Sequence, residues 1–294
     1  MCTESTSAGM HWMLRLFSLP RVARVGIGPL IAALLLAAII ILTLISPWIA
    51  PPHDPLAMNP MMRLKPPSDE YLLGTDNYGR DLFSRMILGG RISLLIGLFA
   101  AASSIMVGVF IGLIAGFFRT ADAIIMRMMD ALMAMPSILI AIALVALNGP
   151  SIGSVIVAIT IPEIPRVVRL VRSVILSARE EPYVEAALAL GSSTPKILFR
   201  HLLPNTMAPL IVQGTYIVAS AILTEAILSF LGAGISTEIP TWGNIMAEGR
   251  QFFRIKPSIV LWPGLLLTLC VLSINLLGDA ARDTLDPRLK KREG

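Results

Sequence analysis

The sequence predicts an all-α membrane protein with six transmembrane helices. Its 294 residues are 55% hydrophobic and only 15% charged, and the mean hydropathy is +0.76. A soluble domain of this length carries more charge, because its surface must be solvated. Apolar runs of about 20 residues, the length that crosses a bilayer core, lie near residues 28–49, 93–117, 131–148, 152–174, 206–230 and 258–278.

The first apolar run follows a cationic arm that contains Arg15, Arg21 and Arg24, which is also a feature of secretory signal peptides. This run is longer than a usual signal core, and it leads into prolines around Trp48 instead of a small-residue cleavage site. We therefore interpret it as an uncleaved anchor with Trp48 at the membrane interface.

The third and fourth spans are the least regular. Pro136 interrupts the third, and Pro162, Glu163 and Pro165 interrupt the fourth. A five-span or re-entrant arrangement is therefore the alternative to six spans.

These spans divide the chain into an N-terminal arm with the first helix, an extracytoplasmic segment, a five-helix core and a tail. The end of the extracytoplasmic segment has turn residues, and we expect a cap at Thr75 or Asp76 that leads into a short amphipathic helix. The four parts cover residues 1–50, 51–92, 93–280 and 281–294.

The distribution of Lys and Arg predicts the orientation, because these residues remain on the cytoplasmic side of bacterial membranes. With both termini inside, 16 of the 24 cations face the cytoplasm and 8 face outward. The sequence thus predicts a multi-pass inner-membrane protein with both termini in the cytoplasm.

Several kinds of chemistry have no support in the sequence. Cys2 and Cys270 have no plausible partners, and the three histidines are far apart, so we predict no disulfide and no metal site. The cations are scattered at helix ends, which argues against nucleic acid as a partner. The sequence has no phosphate-binding loop, no zinc-protease motif and no nucleophile elbow, so we expect no enzyme activity.

A polar segment between the fourth and fifth spans, residues 178–204, has the residue pattern of a helical hairpin. Pro182 suits the first position of a helix, and Gly191 suits a left-handed helix stop. Thr194 and Pro195 then supply a new N-cap and a first turn. We expect two short helices that meet at Gly191.

The first of these helices is suited to contact with another protein. Ala186 and Ala187 keep it thin, so that a second surface can approach closely, and Glu185 is available to pair with a basic group. The alternative is an ordinary amphipathic connector that lies on the membrane surface.

This segment resembles the cytoplasmic EAA loop of bacterial ABC importer permeases, through which a permease contacts its ATPase. In that loop Glu-Ala-Ala and a glycine precede Leu-Pro at fixed spacing. The matching residues are Glu185, Ala186, Ala187, Gly191, Leu203 and Pro204. His201 stands where the broad pattern has isoleucine, and this variant resembles the peptide and nickel branch of the family.

Further segments resemble the second permease of dipeptide, oligopeptide and nickel importers. They include Leu73-Gly74-Thr75-Asp76, Leu228-Ser229-Phe230-Leu231-Gly232, Pro240-Thr241-Trp242-Gly243 and Asn275-Leu276-Leu277-Gly278-Asp279.

The resemblance implies the type I importer architecture, in which a homologous second permease completes the pore. It also implies two ATPases that bind ATP and Mg, with no cofactor in this chain, and an extracytoplasmic binding protein that delivers short peptides. The same architecture importing a metal chelate, an opine or another small solute is the alternative. A passive channel or a membrane-embedded enzyme is more remote.

Charged residues inside predicted spans are treated as functional hypotheses. Glu225 in the fifth span is assigned either to the substrate pathway or to pairing between helices. For Glu163 we favour an ion pair with Arg166, three residues on, over a role in the pathway. Arg166, Arg169 and Arg172 share a helix face, and we expect them to extend to lipid phosphates.

Overall fold

The computed structural model describes residues 27–45 and 54–285. In these ranges the chain is helical, and the only extended pairing is a single bridge between Thr75 and Asp81. This confirms the predicted all-α class. The helices are α1 (Ile27–Leu44), α2 (Leu82–Phe117), α3 (Arg119–Met133), α4 (Ser137–Asn148), α5 (Ile152–Ala178), α6 (Pro182–Ala189), α7 (Thr194–Phe230), α8 (Trp242–Gly249) and α9 (Ser258–Leu285).

Four of the described helices, α1, α2, α7 and α9, are long and apolar enough to cross a membrane. The pair α3 and α4 adds a fifth span only if the two are taken together, and they meet at a bend of 88°. The helix α5 has 27 residues, but Glu163, Arg166 and Arg169 interrupt its apolar stretch. The count of six spans therefore stays a prediction.

The prolines act differently in the third and fourth predicted spans. Pro136 has an extended backbone and separates α3 from α4, so the apolar run at 131–148 is not one straight helix. The residue before a proline is disfavoured in helical conformation, which explains the break. Pro162 and Pro165 lie inside α5, which continues through both.

Two helices extend beyond the predicted boundaries. The helix α2 begins at Leu82, so the predicted boundary at residue 92 falls inside it, and no separate helix lies between Thr75 and Leu82. Asp81, and not Thr75 or Asp76, is its N-cap, because the Asp81 carboxylate accepts hydrogen bonds from the first-turn amides. The helix α9 continues past residue 281. The rest of the predicted tail, the arm at 1–26 and residues 46–53, with Trp48, lie outside the described residues.

The most extensive contact between helices joins α2 to α5. Three glycines, spaced four residues apart, face branched side chains of α5, and a Cβ atom on any of them would lie within 2.7 Å of a Cβ atom of α5. Glycine at this spacing allows membrane helices to approach closely. We call this contact the glycine seam: Gly108 against Val167, Gly112 against Val171 and Gly116 against Ile175.

The helix α7 packs against α2, α5 and α9, and α1 packs mainly on α9. Near the far end of α7 from the hairpin, Trp242 is fully buried. Its indole Nε1 donates a hydrogen bond of 3.0 Å to the backbone carbonyl of Met86 in α2. Most residues of α1 are exposed and apolar, which is typical of a helix that faces lipid.

A buried cluster of ion pairs connects the segment at 54–81 to α8. Arg80 Nε lies 2.7 Å from Asp76 Oδ2, and Arg85 Nη1 lies 2.8 Å from Glu248 Oε2. Each of the four side chains is less than a tenth exposed. Two cations and two carboxylates neutralise one another, so the cluster has no net charge.

Lys256 strengthens the same region. Its ammonium group is buried and donates hydrogen bonds to the backbone carbonyls of Lys65 and Thr75. Burial lowers the pKa of Lys256 from its ordinary value, and the nearby carboxylate of Asp76 opposes that shift. The segment at 54–81 is therefore fixed both by the cluster of ion pairs and by Lys256.

We expect Gly112→Val to destabilise the protein. The added side chain would overlap the Cβ atom of Val171, which cannot move without its backbone, and overpacking of this kind costs about 1–3 kcal/mol. Thermal unfolding in detergent should show a lower Tm. The amount of the variant recovered from membranes should also be lower. Gly153→Val is the matched control, because its Cβ would meet only the Ser151 hydroxyl, at 4.0 Å. Equal Tm values for the two variants would contradict close packing at the seam.

Candidate functional site

The segment after α5 forms a helical hairpin. Its first helix, α6, ends at Ala189, and Gly191, two residues on, has a φ of +72°. The Gly191 N–H donates to the carbonyl of Leu188 at 3.0 Å. The next amide, of Ser192, donates to the carbonyl of Ala187, also at 3.0 Å. This pair of bonds is the Schellman stop, and it confirms the predicted left-handed turn at Gly191.

The second helix of the hairpin differs in two details from the prediction. Ser193 occupies the N-cap position, one residue before the expected Thr194. The helix is also not a separate short element, because it continues into α7 through a π-helical turn at Ile197–Leu202. Pro204 follows this turn and has no N–H, so a regular hydrogen-bond ladder is interrupted there in any case.

The hairpin is anchored to the end of α5 by apolar packing. Val184, Ile197 and Leu202 are fully buried, and they belong to the same core as Val171 and Ile175 of α5. Side chains of this size stabilise a fold by about 1.5–3 kcal/mol each when fully buried. The hairpin and the end of α5 are therefore one packed unit.

The hairpin also carries large apolar side chains that are uncovered within this chain. Leu188, Leu190 and Phe199 are 51%, 85% and 60% exposed. Glu185 and Ala186 lie on the same helix and are exposed as well. A group of large exposed apolar side chains marks a surface for contact with another molecule.

The predicted hairpin residues divide between the two faces. Ala187 is buried, which allows α6 to lie close to its core. His201 and Leu203 are half-buried. The exposed members of the predicted set are Glu185, Ala186, Gly191 and Pro204.

His201 lies between the two arms of the hairpin. Its ring centroid is 6.3 Å from that of Tyr183 in α6. The Asn205 side-chain amide donates to the Tyr183 hydroxyl at 2.8 Å and to the His201 carbonyl at 2.7 Å. Tyr183 and Asn205 were not identified from the sequence, because they are 22 residues apart and only the fold brings them together.

Glu225 is fully buried where α7 meets α2. Its carboxylate accepts hydrogen bonds from Ser229 at 2.8 Å and from Ser93 at 3.3 Å. The Ser93 hydroxyl also accepts a bond from the backbone N–H of Trp242. Within this chain, Glu225 therefore connects α7, α2 and the start of α8.

Glu163 forms the predicted ion pair with Arg166. Arg166 Nη1 lies 2.9 Å from Glu163 Oε1. Ser220 of α7 donates a further bond to the same carboxylate at 3.3 Å. Glu163 is thus held by its own helix and by α7.

The other arginines on this face of α5 differ from the prediction. Instead of extending to lipid phosphates, Arg169 pairs with Asp130 at 2.6 Å, and Arg172 pairs with Asp122 through two bonds of 2.5 and 2.7 Å. The acidic partners are on α3 and were not identified. Their spacing of eight residues, which places them on one helix face, was the available signal.

A groove opens beside the hairpin. It is lined by Ser173, Val174, Ser177, Ala178, Glu181, Tyr183 and Asn205. In the described ranges, no group of three or more His, Cys, Asp or Glu side chains is arranged to hold a metal ion.

Comparison with known proteins assigns this architecture. Residues 104–291 match the family described as binding-protein-dependent transport system inner membrane component. A probable peptide ABC transporter permease of Sinorhizobium fredii is 54% identical over 81% of this chain and 82% of that protein. A di/tripeptide transport system permease of Pseudomonas aeruginosa is 43% identical over 90% of this chain and 89% of its own length.

The fold is also found in a solved structure. An inward-facing MetNI methionine ABC transporter matches with a TM-score of 0.52 at 19% identity, over 69% of this chain and 96% of that one. This match shows the ABC importer permease fold, and the two sequence relatives carry the family assignment. The chain therefore belongs to the binding-protein-dependent inner membrane components, the permease subunits of ABC importers.

Proposed function

We propose that this permease imports short peptides, delivered by an extracytoplasmic binding protein, and that its hairpin couples it to two ATPases. The observation that carries the coupling role is the exposure of the apolar side chains of Leu188, Leu190 and Phe199 on a hairpin whose buried side chains pack against α5. A surface that is rigidly anchored and apolar is suited to transmit force from a docked partner.

The continuity of α7 supports this role. One helix runs from the hairpin at Thr194 to Phe230, a length of about 55 Å at 1.5 Å per residue. Its far end carries Glu225, which joins it to α2 and the start of α8. Movement of the hairpin would therefore reach the opposite end of the protein without passing through a loop.

The assignment of peptides as cargo rests on the relatives. The two sequence relatives are named as permeases for peptides and for di/tripeptides. The alternative cargoes, a metal chelate, an opine or another small solute, remain compatible with the fold, since the structural relative is a methionine transporter. Uptake of radiolabelled dialanine by the reconstituted importer distinguishes these cargoes.

The orientation proposed for this chain places both termini and the hairpin in the cytoplasm. Three of the eight cations assigned to the outer side, Arg80, Arg85 and Lys256, are buried among carboxylates or carbonyls. Three of the inward cations, Arg166, Arg169 and Arg172, are paired with carboxylates as well. The excess of cations on the inner side, which supports this orientation, is therefore the same as the sequence alone indicates.

The orientation is tested with single cysteines in a variant that lacks Cys2 and Cys270. Ser193→Cys lies on the hairpin and should react with an impermeant thiol reagent only in inside-out vesicles. Met61→Cys, at a side chain 85% exposed in the segment at 54–81, should react only from outside intact cells. Labelling of position 193 from outside would overturn the orientation.

We expect the purified chain to turn over no ATP, because its sequence has no phosphate-binding loop. ATP and Mg are assigned to the partner ATPases. Phosphate release is measured with the chain alone in detergent and then with the partner subunits added. ATP turnover by the chain alone, in a preparation shown by mass spectrometry to be free of ATPase subunits, would contradict this assignment.

Gly191→Pro should uncouple transport. Proline fixes φ near −65° and cannot adopt the +72° observed at this position. A Cβ at residue 191 would meet no atom within 4 Å, so backbone conformation alone decides the outcome. Gly191→Ala, which costs about 1–2 kcal/mol in this conformation, should give a smaller loss. Dialanine uptake and peptide-stimulated ATPase activity are measured in proteoliposomes, with membrane yield as the folding control.

Glu185→Lys should weaken the contact itself. It reverses the charge of an exposed residue on the proposed docking face, where opposed like charges can cost several kcal/mol. Co-purification of the ATPases should decrease together with uptake. Asp283→Lys, an equal charge reversal at an exposed position near the end of α9, is the control. If Gly191→Pro and Glu185→Lys both transported at the wild-type rate, the hairpin would not be the coupling element.

A further inference from the structure

Three ion pairs follow one another along α5, one within the helix and two with carboxylates of α3. Each joins an arginine of α5 to a carboxylate of α5 or α3, at nitrogen–oxygen distances of 2.5–2.9 Å. We call this row the charge ladder: Arg166 with Glu163, Arg169 with Asp130 and Arg172 with Asp122.

The ladder extends deep into the span. Counted from the end of α5 at Ala178, which carries the hairpin, Arg172 lies about 9 Å, Arg169 about 14 Å and Glu163 about 22 Å along the helix axis at 1.5 Å per residue. The innermost pair is therefore near the middle of α5. If α5 crosses the membrane as the predicted fourth span, a hydrocarbon core about 30 Å thick would contain this pair.

The middle pair is also the most exposed. The Arg169 side chain is 43% exposed and the Asp130 side chain 58%. Charged groups inside a membrane protein face water or the protein interior, because contact with hydrocarbon is costly. This face of α5 and α3 is therefore turned to water or to another subunit, and not to lipid.

The first and last pairs of the ladder have more contacts than the middle pair. Arg172 forms a bidentate pair with Asp122, in which Nε and Nη2 each donate a hydrogen bond to the carboxylate. Glu163 receives a further bond from Ser220, and the Arg166 guanidinium lies 5.8 Å from the ring centroid of Tyr216. By contrast, the pair of Arg169 and Asp130 has one bond, at 2.6 Å. An exposed single contact of this kind exchanges readily for another ionic partner.

We propose that the charge ladder lines the aqueous route of the substrate, and that Arg169 and Asp130 bind the charged termini of a short peptide. This inference rests on the proposed peptide import. A free peptide is a zwitterion: its carboxylate matches Arg169, and its ammonium group matches Asp130. The ladder has three cations and three anions, so it neither traps a net charge nor repels one.

The aqueous route is tested by accessibility. In a variant without Cys2 and Cys270, Asp130→Cys should react with the impermeant reagent sulfonatoethyl methanethiosulfonate in inside-out vesicles that contain the assembled importer. Met106→Cys is the control. Met106 lies about 16 Å along the axis of α2 from Phe117, the end of α2 that is near the hairpin, at 1.5 Å per residue. Its side chain is 71% exposed on an apolar surface. It should not react. Absence of reaction at 130 overturns the route.

Recognition of the termini is tested by transport in proteoliposomes. Arg169→Gln should reduce dialanine uptake about tenfold, as expected when a charge-assisted bond is lost. The same variant should transport the amide of dialanine, which has no carboxylate, at the wild-type rate. Asp130→Asn should affect dialanine but not N-acetyl-dialanine. A purely structural role would reduce all three peptides equally, and that result overturns the proposal.

The controls separate this proposal from peptide import itself. Arg282→Gln, an exposed arginine near the end of α9, should leave the ratios among the three peptides unchanged. If the wild type transports none of the peptides, the peptide assignment fails, while the labelling at 130 still decides whether the ladder borders water. If the wild type transports dialanine, and both ladder variants keep the wild-type ratios among the three peptides, only the ladder proposal fails.

Discussion

The close contact between α2 and α5 fixes the position of the hairpin and of the charge ladder, the two surfaces to which we assign functions. Glycines on α2 allow the backbone of α5 to approach so closely that a single Cβ atom would overlap Val171. In a membrane there is little hydrophobic force between helices, so association depends on this kind of packing. Once α5 is placed, its end supplies the core on which the hairpin packs, and its opposite face supplies the arginines of the charge ladder.

The proposed coupling role of the hairpin depends on its local turn and on its packing. The turn at Gly191 sets the angle between α6 and α7, and the apolar core under Val184 and Leu202 prevents the hairpin from moving independently of α5. A docked partner shifts a two-state equilibrium only through its different affinity for the two states, and a full reversal from 1:99 to 99:1 requires about 5.5 kcal/mol.

The opposite end of the molecule is fixed by buried polar groups. Asp76, Arg80, Arg85 and Glu248 connect the segment at 54–81 to α8, and Glu225 joins α7 to α2 through hydroxyl groups. Buried ion pairs contribute less to stability than hydrophobic packing of the same volume, but removal of one partner is strongly destabilising. These groups therefore define one arrangement of the helices, in contrast to the exposed middle pair of the charge ladder.

The sequence by itself determined the class of protein and the local form of the hairpin. Long apolar runs predict a membrane protein, and Pro182 and Gly191 predict where α6 begins and ends, because these signals depend on neighbouring residues only. The pair of Glu163 and Arg166 was predictable for the same reason, since three residues on one helix bring the two side chains together.

Only the tertiary structure decided the rest. The partners of Arg169 and Arg172 lie 39 and 50 residues away in sequence, and no local pattern shows which helix faces them. Pro162 and Pro165 predicted an interruption of the fourth span, yet α5 continues through both while its side chains pack against the glycines of α2. Sequence periodicity shows which face of a helix is apolar or charged, but the identity of the opposing face is set by close packing, which here depends on the glycines of α2.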